Sequence, residues 1–199
     1  MSTSEMRFIK DVSVFLDYED IKVLKVLSKN DVTISSMAKI FENPDKSGKY
    51  LMLISDKPIA IYLVAKISER ICKYLTDEDA KTCFKLFLDS IILLNNVEDK
   101  KIKQMVFLLL KEAMNRRIKE NKLNELAILL SNFYDVGFKK YLDKLLFLAA
   151  TLAENGDYQK AIEILDLINF DRAKKLKAAI LEEWEKSLNA SKSEDEDRK

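Results

Sequence analysis

The stretch "LAENGDYQKAIEILDLI", residues 152–168, decides the fold. It holds Gly156, one of only three glycines in the 199-residue chain, then Asp157, Tyr158, a small Ala161 and apolar residues at helical spacing. Gly156 supplies the open backbone that a tight turn needs, and Asp157 stands where a carboxylate caps a second helix. Upstream, Leu145, Leu148, Ala149 and Leu152 fall on one helix face. Ala161 is small enough to let two helices cross closely, Tyr158 is expected to pack back on the first helix, and Leu165 points onward. The stretch reads as the corner of an antiparallel helical hairpin.

Composition carries that reading outward. Hydrophobic residues make up 48% and charged residues 34%, which is a folded, well-solvated body. Gly48, Gly137, Gly156, Pro44 and Pro58 are too few turn formers for a sandwich or barrel, so the fold class is all-α. Ser2 with Glu5 forms a capping box, Asp17 and Asp20 open the next helix, and Thr33 is placed to cap "ISSMAKIF". Residues 42–49 form a loop, and "YLMLIS" (50–55) fits a short helix or a strand. Pro58 and Thr76 begin two more helices. Residues 98–121 form a long helix that starts acidic and ends basic, matching the helix dipole. The expectation is about nine helices, arranged as antiparallel hairpins stacked in a short solenoid or an irregular bundle. Three parts follow: an N-terminal helical part (1–55), a hairpin array (56–190) and a flexible acidic tail (191–199).

Shifting residues 107–130 by 34 places Leu108 on Leu142, Glu120 on Glu154, Asn121 on Asn155, Ala127 on Ala161 and Ile128 on Ile162. With this echo, "LLFLAATLAENGDYQKAIEILDLI" resembles a tetratricopeptide repeat over 141–173, and 107–140 resembles a second unit more faintly. Leu148, Ala149, Gly156, Tyr158, Ala161 and Leu165 define the unit. Leu145 stands where the family has tryptophan, and Ala173 where it has proline. The resemblance implies protein–protein binding, with a groove within residues 100–185. Trp184 is expected in a helix that covers the last unit.

The chain has no histidine, which closes imidazole base catalysis, Ser-His and Cys-His pairs, and His-ligated metals. Without a convergent pair or a glycine-rich phosphate loop, no catalytic residue, cofactor or metal is expected. Cys72 and Cys83, isolated in sequence, read as buried free thiols, with a disulfide as the alternative. Net charge is +1, and the longest apolar run, "MVFLLL" (105–110), is far shorter than a membrane span. The start has no basic-then-apolar leader, so a cytoplasmic, membrane-free protein is the expectation. A Lys- and Ile-rich, glutamine-poor composition fits a thermophile or an AT-rich genome. Acidic runs at 77–79 and 194–197 fit a helix start and a solvated tail.

Lys100, Lys103, Arg116, Arg117, Lys119 and Lys122 are the candidate contacts for phosphates or an acidic partner. The competing reading is a solvated helix face. "EDIKVLKVLSKNDVTISSMAKIFENPDKSGKYLMLIS" (19–55) resembles a helix-turn-helix DNA reader. "TISSMAKIF" would position it around Ala38, and "DKSGKYLMLI" would read bases through Lys46, Ser47 and Lys49. Three packed helices without DNA contact are the competing reading. The functional expectation is therefore a non-enzymatic interaction or accessory subunit that binds another protein. The alternative is a nucleic-acid-binding protein, or a subunit of a DNA- or RNA-processing machine.

Overall fold

The computed structural model describes residues 1–196, in which every regular element is helical: eleven α-helices and three short 3₁₀ turns. The all-α expectation holds among these residues. The count exceeds nine in part because "YLMLIS" resolves into a short helix with Leu51 and Ile54 buried three residues apart. The chain divides into two compact units, Met1–Leu109 and Leu110–Lys199.

The first unit contains α1 (Thr3–Ser13), α2 (Tyr18–Leu27), α3 (Asp31–Glu42), α4 (Gly48–Leu53), α5 (Pro58–Ile71), α6 (Asp77–Leu94) and the start of α7 (Lys100–Lys119). Helix α5 is its centre. Every residue from Ala60 to Glu69 is buried, as expected for a helix clad on all sides. Helix α6 packs along α5, and α2 and α3 also pack on it, so residues 1–55 share a unit with residues 56–109. Pro58 starts α5 at a position where its missing N–H costs nothing.

The caps hold the turns. Glu5 N–H donates to Ser2 Oγ at 3.2 Å while Ser2 N–H donates to Glu5 Oε2 at 2.7 Å, completing the expected capping box. Asp17 N–H donates to Asp20 Oδ2 at 3.2 Å at the start of α2. The cap of α3 differs from expectation. Asn30, in extended backbone, accepts from Thr33 N–H at 3.1 Å through Oδ1, and Thr33 lies buried in the first turn, where its hydroxyl meets Lys57 Nζ. Asn30 is the better cap because its carbonyl reaches three residues ahead from a backbone that is still extended.

The second unit contains the rest of α7, then α8 (Leu123–Phe133), α9 (Lys139–Glu154), α10 (Tyr158–Asp166) and α11 (Asp171–Glu196). Each of α8, α9 and α10 packs on its successor, and α8 also meets α10 while α9 meets α11. Asp166 pairs with Lys177 and Tyr158 stacks on Trp184, so α11 runs antiparallel to α10. Leu126, Ala127, Leu129, Leu130, Leu145, Ala149, Ala161 and Ile164 are fully buried between these helices. Helix α11 continues through Glu196, where a flexible tail from 191 was expected, because "NASKSEDE" contains no glycine or proline to stop it. Asp197, the last acid of the 194–197 run, lies outside the described residues.

Candidate functional site

The six basic candidates separate once their surroundings are known. In the first unit Lys100 is exposed, and Lys103 is exposed beside Glu98 at 3.2 Å. In the second unit Lys119 is exposed, while Arg116 is half-buried and pairs with Glu120 at 2.8 Å. Lys122 is half-buried with the same carboxylate at 3.5 Å. Arg117 is a correction to the surface set, since its side chain is 0% exposed. Its Nε donates to Glu125 Oε1 at 3.1 Å and its Nη1 to the Ala113 carbonyl at 2.9 Å. It ties the end of α7 to α8 and cannot meet a phosphate. Its place in a basic run concealed this, because periodicity alone does not say which face a neighbouring helix covers.

The helix-turn-helix candidate also changes. The stretch "DKSGKYLMLI" is broken at Ser47 into a 3₁₀ turn (Pro44–Lys46) and the six-residue α4. Ser47 is buried with Ala38, leaving Lys46 and Lys49 exposed.

The corner at residues 152–158 is built much as its composition indicates. Gly156 has φ +90°, the left-handed backbone that glycine adopts most easily. Asp157 N–H donates to the Leu152 carbonyl at 2.8 Å and Gly156 N–H to Ala153 at 2.9 Å, a Schellman-type ending. Asp157 occupies the N-cap position of α10 but its side chain makes no cap hydrogen bond. The same pattern ends α7. Lys122 N–H donates to the Arg117 carbonyl at 2.8 Å and Asn121 N–H to Ile118 at 3.3 Å, with Asn121 at φ 55°. These bonds recur 35 residues apart (156 − 121, and 152 − 117), one more than the 34-residue echo in the sequence. Buried Leu126, Leu129, Leu130 and Phe133 then correspond to buried Ala161, Ile164, Leu165 and Ile168.

The other unit-defining residues fall as follows. Ala149 and Ala161 are fully buried, Leu165 is 2% exposed, and Leu148 is half-buried. Tyr158 stacks on Trp184 of α11 at 5.9 Å between centroids and 8° between planes, where packing against α9 was expected. Its ring finds a larger flat partner on the next helix, and Trp184 covers the hairpin as the sequence suggested.

Two surface features had no place in the sequence reading. The α8–α9 and α10–α11 loops meet through Tyr134 and Phe170, whose rings make an edge contact at 4.8 Å. Beside them in sequence, Val136 is 83% exposed and Leu167 38% exposed, giving these two loops an apolar character. The outer face of α9 carries Lys140, Lys144, Phe147 and Thr151, with Phe147 62% exposed. Lys144 Nζ lies over the Phe147 ring at 5.3 Å. The signal for Phe147 was present: it sits opposite the inward Leu145, Ala149 and Ala153 on a 3.6-residue turn.

In the first unit a charge cluster, buried at Lys66 and Asp20 and exposed at Asp17, joins α2 to α5. Lys66 Nζ donates to Asp17 Oδ2 at 2.7 Å and to Asp20 Oδ2 at 2.6 Å, and Arg70 Nη1 donates to Asp17 Oδ1 at 3.2 Å. The Lys66 ammonium, followed by the Arg70 guanidinium, holds the Asp17 carboxyl down at about 2. Burial alone would lower Lys66, but hydrogen bonds to Asp17 and Asp20 outweigh it and raise the ammonium above its usual value. Burial raises the neighbouring Tyr62 phenol. Every charge is committed to a partner, so the cluster fastens helices. Eleven residues apart, Cys72 and Cys83 are neighbours in the fold: Cys72 holds the Cys83 thiol below its usual value, while the Cys72 Sγ itself donates to the Ala80 carbonyl at 3.6 Å. Both are buried.

No group of three or more metal-ligating side chains occurs among the described residues, and no described helix is long and apolar enough to cross a membrane. Compared with known protein families, curated proteins and solved structures, the chain matches none.

Proposed function

We propose that the chain is a non-enzymatic interaction or accessory subunit, holding a protein partner on the helical hairpins of residues 100–185. The observation that carries this reading is the apolar character of the loop pair 134–138 and 167–170. Tyr134 and Val136 remain 40% and 83% exposed on hairpins whose cores are otherwise closed. Exposed aromatic and aliphatic side chains on loops held by a rigid scaffold suit a protein contact. The corner bonds recurring at 35 residues support the tetratricopeptide-like reading of α7–α10 as two related hairpins, with α11 covering the second.

The test is affinity purification of the tagged full chain from its source cell. A stoichiometric partner should co-purify, and Val136→Asp should lose it while the melting temperature holds, since that side chain is 83% exposed. The absence of any stoichiometric partner sinks the proposal. Direct nucleic-acid binding is the rival, and it keeps Lys100, Lys103 and Lys119 as exposed contacts. Salt-sensitive binding of single- or double-stranded oligonucleotides at low ionic strength, lost on changing those three lysines to glutamate, would replace this reading with the rival.

A further inference from the structure

We propose that Cys72 and Cys83 are a redox-responsive pair, closing reversibly into a disulfide that staples the corner between α5 and α6. The corner is a 3₁₀ turn, Cys72–Tyr74, which follows α5 directly and leads through Leu75 and Thr76 into α6. Cys72 opens that turn and ends α5, its N–H donating to the Ser68 carbonyl. Cys83 lies in the second turn of α6, on the buried face that also carries Ala80, Phe84 and Phe87. The two residues are 3% and 4% exposed.

Two observations bring the sulfurs together. Cys72 Sγ donates to the Ala80 carbonyl at 3.6 Å. Ala80 is three residues before Cys83, and a helical side chain leans back over the preceding turn, so the Cys83 sulfur is carried toward that same carbonyl. Cys72 is also the chief influence holding the Cys83 thiol below its usual value, against burial and Asp79, which both raise it. A hydrogen-bonding influence of this kind acts only between adjacent side chains. Buried thiols among apolar neighbours stay protonated and inert; Cys83 keeps a larger share of the reactive thiolate because Cys72 is beside it.

The oxidant is a small peroxide, of which hydrogen peroxide is the simplest. The Cys83 thiolate attacks one peroxide oxygen, the O–O bond breaks, and the departing hydroxide takes up a proton as water. Cys83 is then a sulfenic acid. The Cys72 sulfur attacks the Cys83 sulfur, the S–S bond forms, the S–O bond breaks, and the leaving hydroxide takes the Cys72 proton as a second water. The two thiols lose two electrons and the peroxide gains them. A dithiol reductant reverses the step through a mixed disulfide. Access comes through the 3₁₀ turn, which Leu75 N–H closes on the Cys72 carbonyl at 3.3 Å and whose Lys73 and Tyr74 are exposed. Local opening of so short an element admits a molecule little larger than water. Once formed, the bridge holds the corner against that same opening.

Thiol trapping on the full chain tests this. The protein is reduced, freed of reductant, treated with hydrogen peroxide, unfolded, alkylated and analysed by mass spectrometry with peptide mapping. Before peroxide both cysteines should take the alkyl label; afterwards neither should, and a peptide joining Cys72 to Cys83 should appear. Dithiothreitol should restore both labels. The oxidised chain should melt about 5 °C or more above the reduced one, as expected for a bridge that closes a loop of this length. In Cys72→Ser, peroxide should leave Cys83 as a sulfenic acid that dimedone traps, and oxidation should no longer raise the melting temperature. Cys83→Ser should keep Cys72 open to alkylation at the same peroxide dose. Full labelling of both cysteines after peroxide overturns the proposal, as does oxidation of Cys83 to sulfinic acid without a bridge. A disulfide formed only between two chains overturns it too.

Discussion

Arg117 and Lys66 illustrate how little a charged residue's sequence position reveals about its job. Both occur in helices with basic or apolar neighbours, and both are buried against carboxylates of another helix. Replacing Arg117 by Ala removes one partner of a buried pair and leaves a gap under α8. Unfolding by urea should show a loss of about 3 kcal/mol, the usual cost of breaking such a pair from one side. Asp17 makes a pH-dependent contribution. Its folded value of about 2 lies below the ordinary 3.8, so the stabilisation is complete above about pH 4 and disappears as pH falls toward 2. Asp17→Asn should therefore be less stable than wild type at pH 6, with the difference in urea midpoint closing between pH 4 and pH 2. A constant difference across that range would contradict the Lys66–Asp17 link. The cluster was not legible beforehand because its members are 46 to 53 residues apart.

At the scale of elements, the hairpin corner was the most legible feature, because its determinants are local. Gly156 has open space on its side-chain side: a Cβ there would meet nothing within 4 Å, so Gly156→Ala tests backbone strain alone. Its left-handed φ should cost about 1–2 kcal/mol in denaturant unfolding. Ala161 is fully buried between helices, and Ala161→Trp should cost about 1–3 kcal/mol or more through overpacking, read as a lowered melting temperature. An unchanged melting temperature would remove Ala161 from the helix crossing. The α7–α8 corner shows what local reading misses. Asn121 takes the left-handed turn that Gly156 takes later, so the repeat spacing is visible in hydrogen bonds and blurred in residue identity. Asparagine tolerates that conformation better than most non-glycine residues, and nothing in "ENKLNEL" announces that it uses it.

For the whole molecule, charge balance was readable at once: 34 Lys and Arg stand against 33 Asp and Glu. With a sequence pI near 7.6, light scattering of concentrated solutions should peak near that pH and fall on either side as net charge grows. Helix content, the Ser2 and Asp17 caps, the Pro58 start and the Gly156 corner were all determined by the sequence alone, because each depends on residues within about one turn of one another. The boundary between units inside α7, the burial of Arg117, the Lys66 cluster and the exposure of Val136 were decided only by tertiary structure. Each depends on which helix face another helix covers, and a periodic pattern specifies that a face is apolar without specifying what will meet it.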